Sequence, residues 1–395
     1  MTNQFLACIG SVSFKNISNI DEFWKLVGLM PKLTELKLSK HTFNDIEPIG
    51  KFKQLTILNI SDNPIMKGVE AIGLLKQLTE LDVRYCRMGE EGSKIISKLG
   101  QLTNLDISHN SIRSKGFKFI CEMKQLIILK VQYNKLEKSS SNQIEDLKQL
   151  TKLDISGNNI DDEGAKSIGQ LKQLTKLDIS VNYLSNVGVK HLSDLQQLIY
   201  LNVSYNDVDE EVAKDIYNMK KLSKLNIGGN DLNIESFSMI GKMDHLKKLE
   251  FGVVGLGNDG FEFISKLKHL TMLDISENQI NDNGAELLSR MEHLTKLDVG
   301  FNSIGDRGIR SISMLKKLTD LNARNNEFGN EGAKYISEMM QLTILQVDEN
   351  KFGDEGIIAI TKMKNLKKLR IFSEYMDKEG KDALLNTKHI TKLKY

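Results

Sequence analysis

The chain has 395 residues, 40% of them apolar, with 54 Lys and Arg against 52 Asp and Glu. A length of that order would ordinarily divide into two or three domains at roughly 100–200 residues each, but three prolines, one tryptophan and 6% aromatic residues leave little for linkers or an aromatic core. The apolar fraction excludes disorder, and the net charge of +2 excludes the global basic footprint of a dedicated nucleic-acid binder.

The opening stretch MTNQFLACIGSVSF has no basic region, and Asn3, Gln4, Gly10 and Ser11 break up its apolar residues, so no cleaved leader is expected. No run in the chain approaches the roughly 20 apolar residues of a membrane span. Cysteine occurs only at Cys8, Cys86 and Cys121, without CxxC spacing, which predicts a reducing, cytoplasmic setting. Delivery into another cell without a visible signal stays open.

Ile9, Val12 and Phe14 keep the apolar spacing of later segments and predict a degenerate first coil. Residues 16–32, containing IDEFWKLVGLM and the tryptophan, have amphipathic helical character. The expected organisation is an N-terminal cap with this degenerate coil over residues 1–32, followed by a repeat solenoid over 33–395.

From Leu33 the chain repeats. The first aliphatic residue of successive LTxLxI-like segments falls at Leu33, Leu55 and Leu78, then every 24 residues from Leu102 to Leu366 and finally Ile390. That gives 16 strands, or 17 if the opening coil contributes one. In the unit beginning at Leu150, the apolar positions are Leu150, Leu153, Ile155, Ile160, Ile168 and Leu171. Leu153 and Ile155 alternate with Lys152, Asp154 and Ser156, the period-two pattern of a strand with one buried face. Every coil runs the same way, so the strands must be parallel.

Asn158 stands where the chain leaves the strand, and the same offset carries Asn63, Asn110, Asn134, Asn182, Asn206, Asn230, Asn278, Asn302, Asn326 and Asn350. An amide offers two donors and an acceptor, so stacked asparagines can satisfy the backbone groups of a buried turn. Four positions later Asp162, Asn186, Asn258, Asp282, Asp306, Asn330 and Asp354 form a column of N-cap residue types, each expected to cap the helix that follows it. The coil containing Lys138, Ser139, Ser140, Ser141 and Asn142 lacks the glycine and predicts an irregular return segment.

These residues resemble the leucine-rich repeat family, whose signature LxxLxLxxN is matched by Leu150-x-x-Leu153-x-Ile155-x-x-Asn158. The resemblance runs over roughly residues 9–395. The 24-residue unit with its Gly164-Ala165 helix start looks most like the GALA-type and ribonuclease-inhibitor-like subclasses. The resemblance implies an α/β fold: a right-handed leucine-rich-repeat solenoid, or horseshoe, with a concave parallel sheet and short convex helices. It also implies a noncatalytic protein-protein interaction scaffold, of effector or adaptor kind, that binds a protein partner on the concave face and needs no cofactor. Regulating an enzyme in trans, by inhibiting a hydrolase or assisting a GTPase, is the second function it allows. The partner's identity and the oligomeric state stay open.

Departures from the pattern mark particular coils. Cys86 and Val254 replace the turn asparagine, with Cys86 read as a small buried side chain, and His41 and Glu374 replace it near the ends. Gly255-Leu256-Gly257-Asn258-Asp259-Gly260 matches GxGxxG on paper. Gly260 and Asn258 fall on repeat columns, however, so the repeat explains most of the match. His245, His269 and His293 recur every 24 residues in a column otherwise held by glutamine, and a line of imidazoles suits tetrahedral zinc poorly. The exposed strand column Asp82, Asp106, Lys130, Asp154 and Asp178 reads as a charge-compensated, solvated ladder beside Lys152 and Lys176.

Aromatic interruptions of that polar face are the better candidates for partner binding. Tyr85, His109 and Tyr133 share one column in three successive coils, beside Arg84 and Ile128. Tyr200 and Tyr205, with Val181 and Tyr183 nearby, form a second group. Large amphipathic side chains and arginine are the types that dominate interface energy. The last 35 residues carry ten Lys or Arg against four acids, and the final strand motif, Ile390 to Tyr395, either blunts an edge with its lysines or runs on into a longer protein. No GxxxxGK[ST], HExxH or GxSxG motif occurs, which argues against an enzyme.

Overall fold

The computed structural model describes residues 10–13 and 20–395. Cys8, Ile9 and Phe14 of the expected first coil lie outside them. The chain divides into two compact units, residues 1–198 and 199–395.

In the first unit each coil contributes a three-residue strand: β1 (Ser11–Ser13), β2 (Glu35–Lys37), β3 (Ile57–Asn59), β4 (Glu80–Asp82), β5 (Asn104–Asp106), β6 (Ile128–Lys130), β7 (Lys152–Asp154) and β8 (Lys176–Asp178). They pair in parallel in chain order, and the central leucines stay in register: Leu81 against Leu105, Leu105 against Leu129, Leu129 against Leu153. The strand beyond the expected 16 is β1, whose Val12 pairs with Leu36. The second unit repeats the arrangement from β9 (Tyr200–Asn202) to β17 (Lys392–Lys394). Both units are therefore α/β leucine-rich solenoids, with a parallel sheet on one side and short helices on the return path.

Apolar periodicity explains the core. Leu150, Leu153, Ile155, Ile160, Ile168 and Leu171 are all buried, and their counterparts in other coils stack on them. Burying each such side chain is worth about 1.5–3 kcal/mol, so stability accumulates coil by coil. The helix α1 (Ile20–Val27) buries Phe23 and Val27, and its Trp24 ring packs near Phe43 and Phe52, each at 6.3 Å. Residues Lys138–Asp146, the coil without the glycine, form a 3-10 segment instead of an α-helix, as the missing helix entry predicts.

The asparagine ladder does what its chemistry predicts. Asn158 Oδ1 accepts from the backbone N–H of Asn134 (2.9 Å) and of Leu136 (3.3 Å), while Nδ2 donates to the carbonyls of Val131, Ile155 and Ser156. One side chain thus closes its own turn and the turn of the preceding coil. Where Cys86 replaces the amide, its Sγ donates to Ile60 O (3.0 Å) and Arg84 O (3.4 Å), and burial pushes the thiol pKa up to about 12.

The acidic and amide column at Asp162, Asp282, Asp306 and Asn330 corrects the capping expectation. These residues are the first of their helices, and the N-cap lies one position earlier, at Asp161, Asn281, Gly305 and Gly329. Their side chains serve the next coil. Asp282 Oδ1 accepts from Gly305 N and Gly308 N, both at 2.8 Å, and Asp306 does the same for Gly329 and Gly332. A glycine N-cap carries no oxygen of its own, so the previous coil supplies the acceptor. A Cβ at Gly308 would come within 2.6 Å of Asp282 Oδ1, which excludes larger residues there.

Candidate functional site

On each strand the central leucine points into the core, and the residues on either side of it face outward, away from the helices. The outward face of β4 to β8 therefore displays two rows: Glu80, Asn104, Ile128, Lys152 and Lys176 in one, and Asp82, Asp106, Lys130, Asp154 and Asp178 in the other.

The carboxylates of the second row are not simply solvated, contrary to the sequence reading. At Asp106, Asp154 and Asp178 an Asp-x-Ser step at the strand exit folds the carboxylate back, whereas Asp82, with Arg84 in the serine's place, accepts from Arg84 N (3.2 Å). Asp106 Oδ1 accepts from Ser108 N (3.2 Å) and Ser108 Oγ (2.7 Å), and Asp178 is held in the same way by Ser180. Half-burial raises the pKa of Asp82 to about 6, aided by the like charge of Asp106, and raises that of Asp154 to about 6, aided by Asp178. Compensation is partial: Arg84 lies 3.2 Å from Asp82 Oδ2, and Lys130 lies 3.4 Å from Asp106 Oδ2.

Tyr85, His109 and Tyr133 do come together. Tyr85 and His109 stack with ring centroids 4.1 Å apart and planes 11° apart, and His109 and Tyr133 stack at 4.7 Å and 18°. All three have positive φ, between 50° and 57°, and each donates its backbone N–H to the following coil. Left-handed backbone turns these side chains out of the strand and along the exit loop. Each tyrosine turns one ring face to His109, and Tyr85 and Tyr133 are still 50% and 47% exposed. Burial lowers the pKa of the intervening His109. The column continues at Gly157, also at positive φ, where an added Cβ would meet Tyr133 Cε1 at 2.3 Å.

The other predicted residues are placed differently. Arg84 turns back to Asp82, and Ile128 lies on β6 in the outward row, lining a depression over the strands. In the second unit, Tyr200 opens β9 and Tyr205 occupies the left-handed exit position, beside Gly229 as Tyr133 is beside Gly157. Val181 and Tyr183 belong to the first unit, where both are exposed.

Sequence reasoning missed a cluster in the second unit. The Arg324 guanidinium sits 4.9 Å from the Phe301 ring centroid and 2.5 Å from Glu349, and Asp348, almost fully buried, lies 2.6 Å from Arg370 Nε. The signal was available, because Phe301 occupies the same column as Tyr85 and Tyr205. Satisfaction is incomplete, because Arg324 Nε and Asp348 Oδ2 are buried without a hydrogen bond of good geometry, 4.0 Å from each other.

The two weighed motifs hold no assembled chemistry. His269 and His293 rings are 6.4 Å apart and tilted, and His293 Nδ1 faces Lys317 Nζ at 3.2 Å. No group of three or more His, Cys, Asp or Glu side chains placed to hold a metal occurs among the described residues. Gly255 and Gly257 have positive φ, while Gly260 meets the Phe237 ring, where a Cβ would lie at 2.6 Å. These glycines answer to turn and packing geometry. Among the described residues, no helix is long and apolar enough to cross a membrane.

The family model described as leucine-rich repeat region matches residues 105–322, and a second, described as leucine rich repeat, matches 315–337 and 339–360. Among solved structures, an LRR protein of Leptospira interrogans is similar over 94% of this chain and 97% of its own, at 22% identity and a TM-score of 0.58. The functional domain of InlJ from Listeria monocytogenes is similar over 93% of this chain and 74% of its own, at 19% identity and a TM-score of 0.51. At such identities the likeness is one of fold. No curated protein matches the sequence.

Proposed function

This chain belongs to the leucine-rich repeat family, and on that premise we propose that it is a noncatalytic scaffold that holds a protein partner on the outward face of its sheet. The carrying observation is the contrast between the two sides of each coil. Helices cover the core on the return side, whereas the strand side presents rows of charged and polar groups fixed by ladders of hydrogen bonds. A rigid face of that kind binds without paying for its own ordering. The aromatic stack of Tyr85, His109 and Tyr133 edges this face and joins the proposed contact, as do Tyr200 and Tyr205 in the second unit. The buried Gly-Ala pairs at Gly164 and Ala165, Gly284 and Ala285, and Gly332 and Ala333 support the GALA-type subclass.

The test is amine-directed cross-linking of the protein to a captured partner, followed by mapping. Links should form at the sheet-face lysines Lys130, Lys152 and Lys176. Links confined to the helix-side lysines Lys94, Lys118 and Lys166 would overturn the reading. Capture that is unchanged by the double substitution Tyr85→Ala and Tyr133→Ala would remove the stack from the contact. Measuring a captured partner's turnover with and without the chain separates passive holding from regulation in trans.

A further inference from the structure

A depression of about 370 Å³ runs over β4 to β8, and its lining is polarised. One end is acidic, with Glu80 and Asp82 on β4 and Asp106 on β5. The other is basic, with Lys152 on β7, Lys176 on β8 and, at the junction, Lys130 on β6, which also reaches Asp106 Oδ2 at 3.4 Å. Ile128 lies between the two ends, and the strand leucines Leu81 and Leu105 also line the depression. Asp154 and Asp178, which belong to the basic strands, do not line the depression.

Neighbouring parallel strands are about 4.8 Å apart, so the centres of the two charged ends lie roughly 10–15 Å from each other. That separation is too long for a small zwitterion and matches a short stretch of polypeptide. The acidic end holds like charges close together. Burial first, and then the neighbouring carboxylate of Asp106 on β5, leave Asp82 harder to ionise than normal, although Asn59 from β3 donates to it and Arg84 and Lys130 pull the other way. A further cation at this point would offset the repulsion between Asp82 and Asp106.

We propose that this groove takes a partner segment of bipolar charge, its cationic side chains over Glu80, Asp82 and Asp106 and its anionic side chains over Lys130, Lys152 and Lys176. The inference rests on the sheet-face reading above and adds the chemistry and direction of the partner. Opposed potentials at the two ends fix the orientation of the segment and penalise a uniformly charged one.

Three synthetic peptides of equal length test it by fluorescence anisotropy at low ionic strength. One carries an arginine pair and a glutamate pair separated by four neutral residues; the others carry only the arginines or only the glutamates. The bipolar peptide should bind about fivefold or more tightly than either of the others. Glu80→Gln and Lys152→Gln, both at exposed positions and checked for native circular dichroism, should each remove most of that advantage, and Lys94→Gln on the helix side should leave it. Equal binding of the three peptides, or an advantage that survives both groove substitutions, would overturn the proposal. If partner cross-links still fall on the sheet face, only the polarity fails; if they fall on the helix side, the sheet-face reading fails with it.

Discussion

Tyr133 occupies the space that a side chain at Gly157 would need: a Cβ there would lie 2.3 Å from Tyr133 Cε1. The glycine is required twice, since its φ of 64° is also left-handed. Gly157→Ala should therefore displace the ring as well as strain the backbone. We expect a loss of about 1–3 kcal/mol, read as a lower urea midpoint with a changed near-ultraviolet circular dichroism signal. In a Tyr133→Ala background the same substitution should cost only the backbone share, about 1 kcal/mol.

Asn110 should be among the least replaceable polar residues of the first unit. Its Oδ1 accepts from Cys86 N and Met88 N, and its Nδ2 donates to the carbonyls of Val83, Ile107 and Ser108. Asn110→Ala leaves these buried groups without that partner, at about 1–3 kcal/mol for each that finds no other. Amide hydrogen exchange should accelerate first at Cys86 and Met88, and exchange unchanged there would refute the ladder's role.

Cys86 shows how far the ladder tolerates substitution. Its thiol already donates to Ile60 O and Arg84 O, so Cys86→Asn should be neutral or stabilising, whereas Cys86→Ala should cost about 1 kcal/mol or more. Burial and the raised pKa should also make alkylation of Cys86 slow in the native protein and fast in urea.

Asp154 provides a pH test with a definite sign. Its folded pKa, about 6, is above the usual 3.8, so between these values the native state holds more protons than the unfolded chain. The contribution of this group to stability accordingly rises as pH falls through 6 towards 4, and is lost as pH rises. Asp154→Asn should raise the denaturation midpoint at pH 7 and narrow the difference between pH 7 and pH 5. Asn59 and Asn202 already occupy the equivalent position, where Oδ1 accepts from the following serine, so the amide fits. A midpoint lowered at pH 7 would contradict this account.

The inter-coil caps make a prediction in the second unit. Asp282→Ala removes the acceptor shared by Gly305 and Gly308 and should cost about 1–2 kcal/mol. Asp282→Asn should cost much less, because Asn330 performs the same task for Gly353 and Gly356. Equal losses for the two variants would show that charge, rather than hydrogen bonding, carries the effect.

The 24-residue period by itself determined the parallel register, the buried leucines, the turn asparagines and the alignment of Tyr85, His109 and Tyr133 in one column. In a repeat protein, residues one period apart become neighbours in space, so a one-dimensional spacing carries contact information that an ordinary sequence lacks. What the period could not determine is the direction in which each side chain leaves the backbone. Positive φ at the strand exit turned the aromatic rings onto one another. The one-residue offset of the helix start sent Asp282 to the next coil's helix and not to its own. The Asp-x-Ser turn folded the carboxylates of Asp106, Asp154 and Asp178 back towards the sheet, and half-burial raised the pKa values of Asp82 and Asp154. Backbone angles and desolvation belong to the folded chain, and they decided which charges remain available to a partner.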